Sequence, residues 1–354
     1  MTKYSFLNDY SEGAHPKILE VLVSSNMLQQ TPYGDDDFSN RAKSLIKDKI
    51  GNQDVDVFFV SSGTQANLIV ISAALKSHES VISANTGHIT LREAGAIEAT
   101  GHKINSLVSS DGKLTKTAIM EVLKEHDFGA HVVKPKMVYI SNATEIGTIY
   151  TKPELEDLSK FCKENNLYLF LDGARLGSSL TASNNDLTLS DIASLTDVFT
   201  IGGTKNGTLI GEAIVINNDI LKEDFPFHIK QRGAMLSKGR ILGIQFLELF
   251  KDDLFFDLAK HSNVMASKLS EEIKANGFKM SSNSTTNQIF PILPNKLITE
   301  LEKKFEFYRW SKINDKFTVL RLVTSWATEE SKVYEFIDDI KRINNPLNQK
   351  KNYN

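Results

Sequence analysis

The stretch Leu169-Phe170-Leu171-Asp172-Gly173-Ala174-Arg175 decides how the rest of the chain is read. A wholly apolar run ends on an aspartate, and a glycine follows at once. Similar short apolar runs recur at Val55–Val60, Ser80–Ala84, Met137–Ile140, Val198–Ile201 and Glu212–Ile216, with Tyr168–Leu171 among them. Helix-length segments lie between them, such as Gly63–Leu75, Arg92–Gly101, Leu114–His126 and Lys152–Asn165. Fully apolar strands alternating with helices predict an α/β fold, a mostly parallel sheet flanked by helices on both faces. Ligands of such sheets bind outside the carboxyl ends of the strands. A polar residue that closes a strand is therefore the first candidate for chemistry.

The pattern changes after Phe225-Pro226-Phe227. Gly239–Phe256 reads as a long amphipathic helix and Ser262–Asn276 as a second one. Strand-like runs follow at Asn287–Leu293, Phe305–Trp310 and Phe317–Ser325, then a helix over Glu329–Asn344. This predicts a large domain over residues 1–240 that includes the N-terminal segment, a smaller C-terminal α/β domain over 241–345, and a flexible tail over 346–354. The 354 residues carry 41 basic and 44 acidic side chains, a net charge of −3. That gives no basic footprint for nucleic acid or an anionic membrane. No apolar run approaches the ~20 residues of a membrane span, and residues 1–10 show no secretory signal. The single cysteine, Cys162, excludes an internal disulfide and a cysteine-cluster metal site. It is read as a core residue, and no metal site is expected. The expectation is a cytoplasmic globular protein.

Three strand ends carry the chemistry. Phe59-Val60-Ser61-Ser62-Gly63-Thr64-Gln65-Ala66-Asn67 runs from a strand into a helix. A helix start has unpaired N–H groups and partial positive charge, which suit an anion; Ser62 as an ordinary cap would explain the same residues. Asp172 closes its strand, where a buried carboxylate needs either an ion pair, with Arg175 as the near partner, or a bound cation. Phe199-Thr200-Ile201-Gly202-Gly203-Thr204-Lys205-Asn206-Gly207 puts a lysine in a glycine-rich turn. The turn lacks the Lys-Ser/Thr ending of a P-loop. Such a lysine is either solvated or, when buried, a low-pKa amine suited to a Schiff base. Together, an anion cup, a strand-end aspartate and this lysine are the parts that bind pyridoxal 5′-phosphate: the cup for the phosphate, Asp172 for the pyridine nitrogen, Lys205 for the aldehyde.

With these residues in place, the chain resembles the fold-type I pyridoxal-phosphate enzymes, and among them the low-specificity threonine aldolase and β-eliminating lyase group. The resemblance spans nearly the whole chain. It rests on segments 8–13, 33–36, 61–67, 88–95, 171–176, 204–205 and 319–326. It implies a PLP-dependent transferase-like fold in which Ser62, Gly63, Thr64 and Thr204 hold the cofactor, and His88 stacks on its ring. Asp172, Arg175 and Lys205 complete the cofactor site, and Lys230 and Arg232 lie near the phosphate. Asn8, Tyr33, Arg175 and Arg321 would bind the amino acid substrate. Active sites of this fold type form between subunits, which implies a homodimer or homotetramer.

Two departures from the group's pattern stand out. Asn8-Asp9-Tyr10 replaces a Ser-Asp-Thr, and Ser141-Asn142-Ala143-Thr144-Glu145 replaces a stretch that ends in histidine. Glu145 is thus a candidate acid or base in place of that histidine. The implied reaction is cleavage of L-threonine or L-allo-threonine to glycine and acetaldehyde, with Lys205, His88, Asp172 and Glu145 as catalytic residues. A β-eliminating lyase or a class V-like aminotransferase on the same scaffold stays open, as does a non-catalytic PLP- or amino-acid-binding protein. A nicotinamide dehydrogenase is disfavoured, since no Gly-x-Gly-x-x-Gly follows a strand.

Overall fold

The apolar runs become the strands of one seven-stranded sheet. In the computed structural model, which describes residues 3–344, these are β1 (Asp56–Val60), β2 (Glu79–Ala84), β3 (Ile104–Leu107), β4 (Lys134–Ser141), β5 (Tyr168–Asp172), β6 (Val198–Gly202) and β7 (Glu212–Ile216). Their order is β1-β7-β6-β5-β4-β2-β3. The pairs from β6 to β3 are parallel, and β7 runs antiparallel to both of its neighbours. The mostly parallel α/β sheet is therefore as expected. Side chains alternate between two cores: Leu169, Leu171, Phe199 and Ile201 enter one, Phe170, Val198 and Tyr139 the other. Both faces being buried explains why the strands read as unbroken apolar runs. Cys162 is buried in the first core, and burial pushes its thiol up to about 12, so it is an inert core residue.

Two glycines fix the carboxyl edge. A Cβ on Gly173 would lie 1.9 Å from the Thr200 carbonyl oxygen, and one on Gly202 would lie 2.3 Å from that of Ala174. The turn after Asp172 thus packs directly on the end of β6, which places Asp172 beside the turn that carries Lys205.

A second sheet contains Lys279–Met280, Gln288–Ile289, Pro291–Pro294, Tyr308–Lys312 and Phe317–Val323, with its own core around Leu269, Leu320 and Phe336. The N-terminal strand Tyr4–Ser5 pairs in parallel with Phe305–Glu306, and Phe6 enters this second core.

Several local expectations fail for local reasons. Residues 92–101 do not form a helix: Ala94 and Gly95 take φ of +51° and +75°, which leaves His88–Leu91 and a short turn at Glu98–Thr100. The helix read over 239–256 stops at Lys251. Asp253, with φ of +57°, begins a new 22-residue helix, Leu254–Ala275, that absorbs the segment read as a separate helix from 262. The strand read over 287–293 is interrupted at Phe290, next to Pro291, which lacks an N–H to donate. The tail read over 346–354 lies outside the described residues.

Candidate active site

The carboxyl edge of the first sheet opens into a cavity of about 340 Å³, within the size range of small-molecule sites. Ser62, Gly63, Thr64, His88, Glu145, Asp172, Arg175, Thr204 and Lys205 all line it. These residues, spread over more than 140 positions of sequence, converge because each follows a strand that ends at this edge. Ser62 caps the helix Gly63–Ala74, its Oγ accepting from the Gln65 N–H at 3.3 Å. A Cβ on Gly63 would meet no atom within 4 Å, so the helix start faces open cavity and leaves room for an anion on its free N–H groups.

Asp172 is 5% exposed. Its Oδ2 accepts from Asn67 Nδ2 at 3.0 Å and from the Tyr139 hydroxyl, and its Oδ1 accepts from the Ala174 N–H at 2.9 Å. All three donors are neutral. The ion pair with Arg175 allowed by the sequence is not formed: Arg175 Nε and Nη2 instead grip Asp9 Oδ2 and Oδ1 at 2.7 and 2.9 Å. A buried carboxylate held only by neutral donors retains its preference for a cationic partner, as a protonated pyridine nitrogen would be.

Lys205 faces the same cavity, and among the described residues no hydrogen bond or ion pair reaches its amine. Burial, and next the charge of Arg175, pull its pKa down from the ordinary lysine range, against the pull of Asp9 and Asp172. This is the state a nucleophilic amine requires. His88 Nδ1 lies 2.7 Å from Glu93 Oε1, which also accepts from Asn67 Nδ2 at 2.7 Å. Glu145 Oε1 accepts from the His88 N–H at 3.0 Å and from Ser141 Oγ at 2.9 Å. Burial and the charge of Asp172 raise the Glu145 pKa.

Arg321 lies on Phe317–Val323 in the second sheet. Its Nε and Nη2 both donate to Gln288 Oε1, at 3.1 and 2.7 Å, and its guanidinium stands 5.5 Å from the Trp310 ring and 5.9 Å from that of Tyr308. Asn8 Oδ1 caps its own turn, accepting from the Tyr10 N–H at 3.0 Å, and it is Tyr10 that lines the cavity. Asn8, Tyr33, Lys230, Arg232 and Arg321 are not among the lining residues. Tyr33 and Lys230 border an outer depression with Phe227 and Met235, where the Lys230 ammonium sits 4.8 Å from the Tyr33 ring.

Sequence reading missed Asn67, Glu93, Tyr139 and Glu212. A signal existed for the first and last. Asn67 lies four residues after Gly63 on the same helix face, and Glu212 opens a strand that is otherwise apolar.

The donor set therefore suits pyridoxal phosphate at every end: a helix start for phosphate, an unneutralised carboxylate for a ring nitrogen, and a free buried amine for the aldehyde. Fold and site define a fold-type I, pyridoxal-phosphate-dependent enzyme. Comparison with known proteins places it further. The sequence profile of the beta-eliminating lyase family matches residues 9–295, and the chain belongs to that family. It is 34% identical to the low specificity L-threonine aldolase of Pseudomonas sp. (strain NCIMB 10558), over 96% of this chain and 97% of that protein. The structure of Leishmania major threonine aldolase superposes with a TM-score of 0.95 at 51% identity, over 97% of this chain and 100% of that one. An aspartate aminotransferase from Thermus thermophilus shares the fold, with a TM-score of 0.70 at 14% identity, over 96% of this chain and 91% of that one.

Proposed function

We propose that this enzyme cleaves L-threonine and L-allo-threonine to glycine and acetaldehyde, at the cavity formed by the carboxyl edge of the first sheet. The observation that carries this reading is the meeting of Lys205, Asp172 and the Ser62–Thr64 helix start around one cavity, in a chain whose relatives above are named threonine aldolases. The bound cofactor supplies an electron sink for the pair left on the substrate α-carbon when Cα–Cβ breaks.

The protein's own residues do the rest. Lys205, whose lowered pKa eases the loss of its proton, offers its amine to anchor the cofactor aldehyde. Asp172, fixed by Asn67, Tyr139 and the Ala174 N–H, holds the ring nitrogen in its protonated form. Ser62, Gly63, Thr64 and Thr204 take the phosphate. Arg321 receives the substrate carboxylate, with Arg175 and the segment Asn8–Tyr10 beside it. Glu145 takes the proton of the β-hydroxyl; its raised pKa brings it closer to working pH than an ordinary carboxylate. His88, held by Glu93, packs on the ring.

In this reading residues 1–240, the N-terminal segment included, form the large unit and residues 241–345 the small one, with the strand Tyr4–Ser5 of the large unit pairing with Phe305–Glu306 of the small one. The outer depression at Tyr33, Phe227 and Lys230 is assigned to contact with a second copy of the chain, which brings Lys230 and Arg232 toward the neighbouring phosphate. Phe227, 74% exposed, supports that contact. The compartment assigned is the cytoplasm.

Product analysis tests the reaction. Cofactor-loaded protein given L-threonine should release glycine and acetaldehyde in equal amounts, with no added keto acid. Ammonia with 2-oxobutanoate, or turnover only with a keto-acid acceptor, would overturn it.

A further inference from the structure

Glu212 occupies a central place at the carboxyl edge of the first sheet. It opens β7 and lies opposite Val60 at the end of β1 and opposite Gly202 at the end of β6. Val60 leads into Ser62–Thr64, and Gly202 leads into Thr204 and Lys205. Glu212 thus stands between the strand end that delivers the anion cup and the strand end that delivers the lysine. Its side chain lines the cavity, is 3% exposed, and has one carboxyl oxygen, Oε1, with no hydrogen-bond partner. The groups that face it are Asp172 from β5, Thr200 from β6 and Lys205 from the turn after β6. His88, Glu145 and Arg175 border the same cavity, and the helix Gly63–Ala74 brings no charged side chain. Burial first, then the Asp172 charge, push the Glu212 carboxyl up to about 8, against Lys205 and the Thr200 hydroxyl.

An ionised carboxylate at this place conflicts with an anion cup. In a poorly solvated cavity its charge would repel a phosphate dianion. Protonated, the same carboxyl offers an O–H donor to a phosphate oxygen. We propose that Glu212 carries a proton whenever the cofactor phosphate is seated, so that above the pH at which free Glu212 ionises, cofactor binding takes up one proton on this side chain. This rests on the placing of the phosphate at Ser62–Thr64 in the function proposed above. Proton linkage then fixes the form of the effect: affinity is level below the pH at which free Glu212 ionises and falls about tenfold per pH unit above it.

Isothermal titration of the full chain, freed of cofactor, with benzyl phosphate tests this. That probe keeps a phosphate monoester next to a ring but has neither an aldehyde to react with Lys205 nor a ring nitrogen that titrates in this range. Its phosphate, with a second pKa of about 6, stays dianionic from about pH 7 to pH 9.5. Wild-type affinity should stay level to about pH 8 and then decline, and in the declining range buffers of different ionisation heat should report uptake approaching one proton per site. Glu212→Gln should bind with no such decline. Lys205→Met should keep it, with its onset at higher pH, because the amine that lowers Glu212 is gone. A level wild-type profile, a decline that persists in Glu212→Gln, or its loss in Lys205→Met would each overturn the proposal. If Glu212→Gln fails a thermal-melting check, the wild-type proton count and the Lys205→Met profile decide. Absence of binding at every pH would remove the phosphate cup itself, and this inference with it.

Discussion

Arg175 and Arg321 stand within electrostatic reach of each other, yet the molecule treats them in opposite ways. Arg175 is clamped in two places by Asp9, itself fully buried and held by Asn287 Nδ2 at 2.8 Å. Its charge is already answered, so its pKa is raised in spite of burial. Among the described residues, the direct partners of Arg321 are the neutral Gln288 carbonyl and two aromatic rings. Burial, and then the Arg175 charge, push it down to about 10 against the pull of Asp9, so at neutral pH it remains a cation with no ion-pair partner among the described residues. The difference separates a guanidinium that ties the N-terminal segment to the first sheet from one that waits for an anion. In the proposed function the carboxylate of an amino acid is that anion, and a bidentate guanidinium suits its shape.

The largest effect that would break this contrast is on folding. Asp9→Asn leaves Arg175 buried without its counter-charge, and the variant should lose about 3–5 kcal/mol in urea unfolding at neutral pH. Acid should do the same to the wild type. Burial alone would raise the Asp9 pKa, but Arg175 and Lys205 override it, and the folded value lies below the unfolded one. Its stabilisation is therefore fully present above the unfolded value of about 3.9 and is lost as pH falls through the folded value. Asp9→Asn should lack this part of the acid dependence. Unchanged stability in Asp9→Asn would mean that Arg175 is not anchored as described.

Next in size is the substrate end. Arg321→Leu should raise KM for L-threonine by about 10–150-fold, the worth of a charged hydrogen-bonding contact of about 1.5–3 kcal/mol, and leave unfolding nearly unchanged. A loss of stability with KM intact would reverse the roles of the two arginines. The smallest effect belongs to Gln288→Leu, which removes the acceptor that aims Arg321 but leaves its charge. It should raise KM about fivefold, the equivalent of about 1 kcal/mol, with kcat little changed; a fall in kcat alone would place Gln288 elsewhere in the account.

The same contrast shows what a sequence reveals. Asp172, Lys205 and the Ser62–Thr64 start were legible because each is a local exception, a polar residue or a turn directly after an apolar strand. The fold was legible for the same reason, since strands buried on both faces advertise themselves. The partners were not. Asp9 meets Arg175 across 166 residues, and Asn67 meets Asp172 across 105. Such pairings arise from the packing of whole elements and leave no local pattern. Arg321 was a candidate clamp only through family resemblance, because a strand arginine facing solvent has the same local pattern. The break at Asp253 escaped because amphipathic spacing runs on through it, and only the left-handed backbone marks the change of direction.

The proposed chemistry depends above all on Lys205 as the anchor of the cofactor. Cofactor-loaded protein should be reduced with borohydride, digested, and its peptides mapped by mass. A pyridoxyl label is expected on Lys205 and on no other lysine. A label on a different lysine, or a loaded protein that takes no label at all, would contradict it.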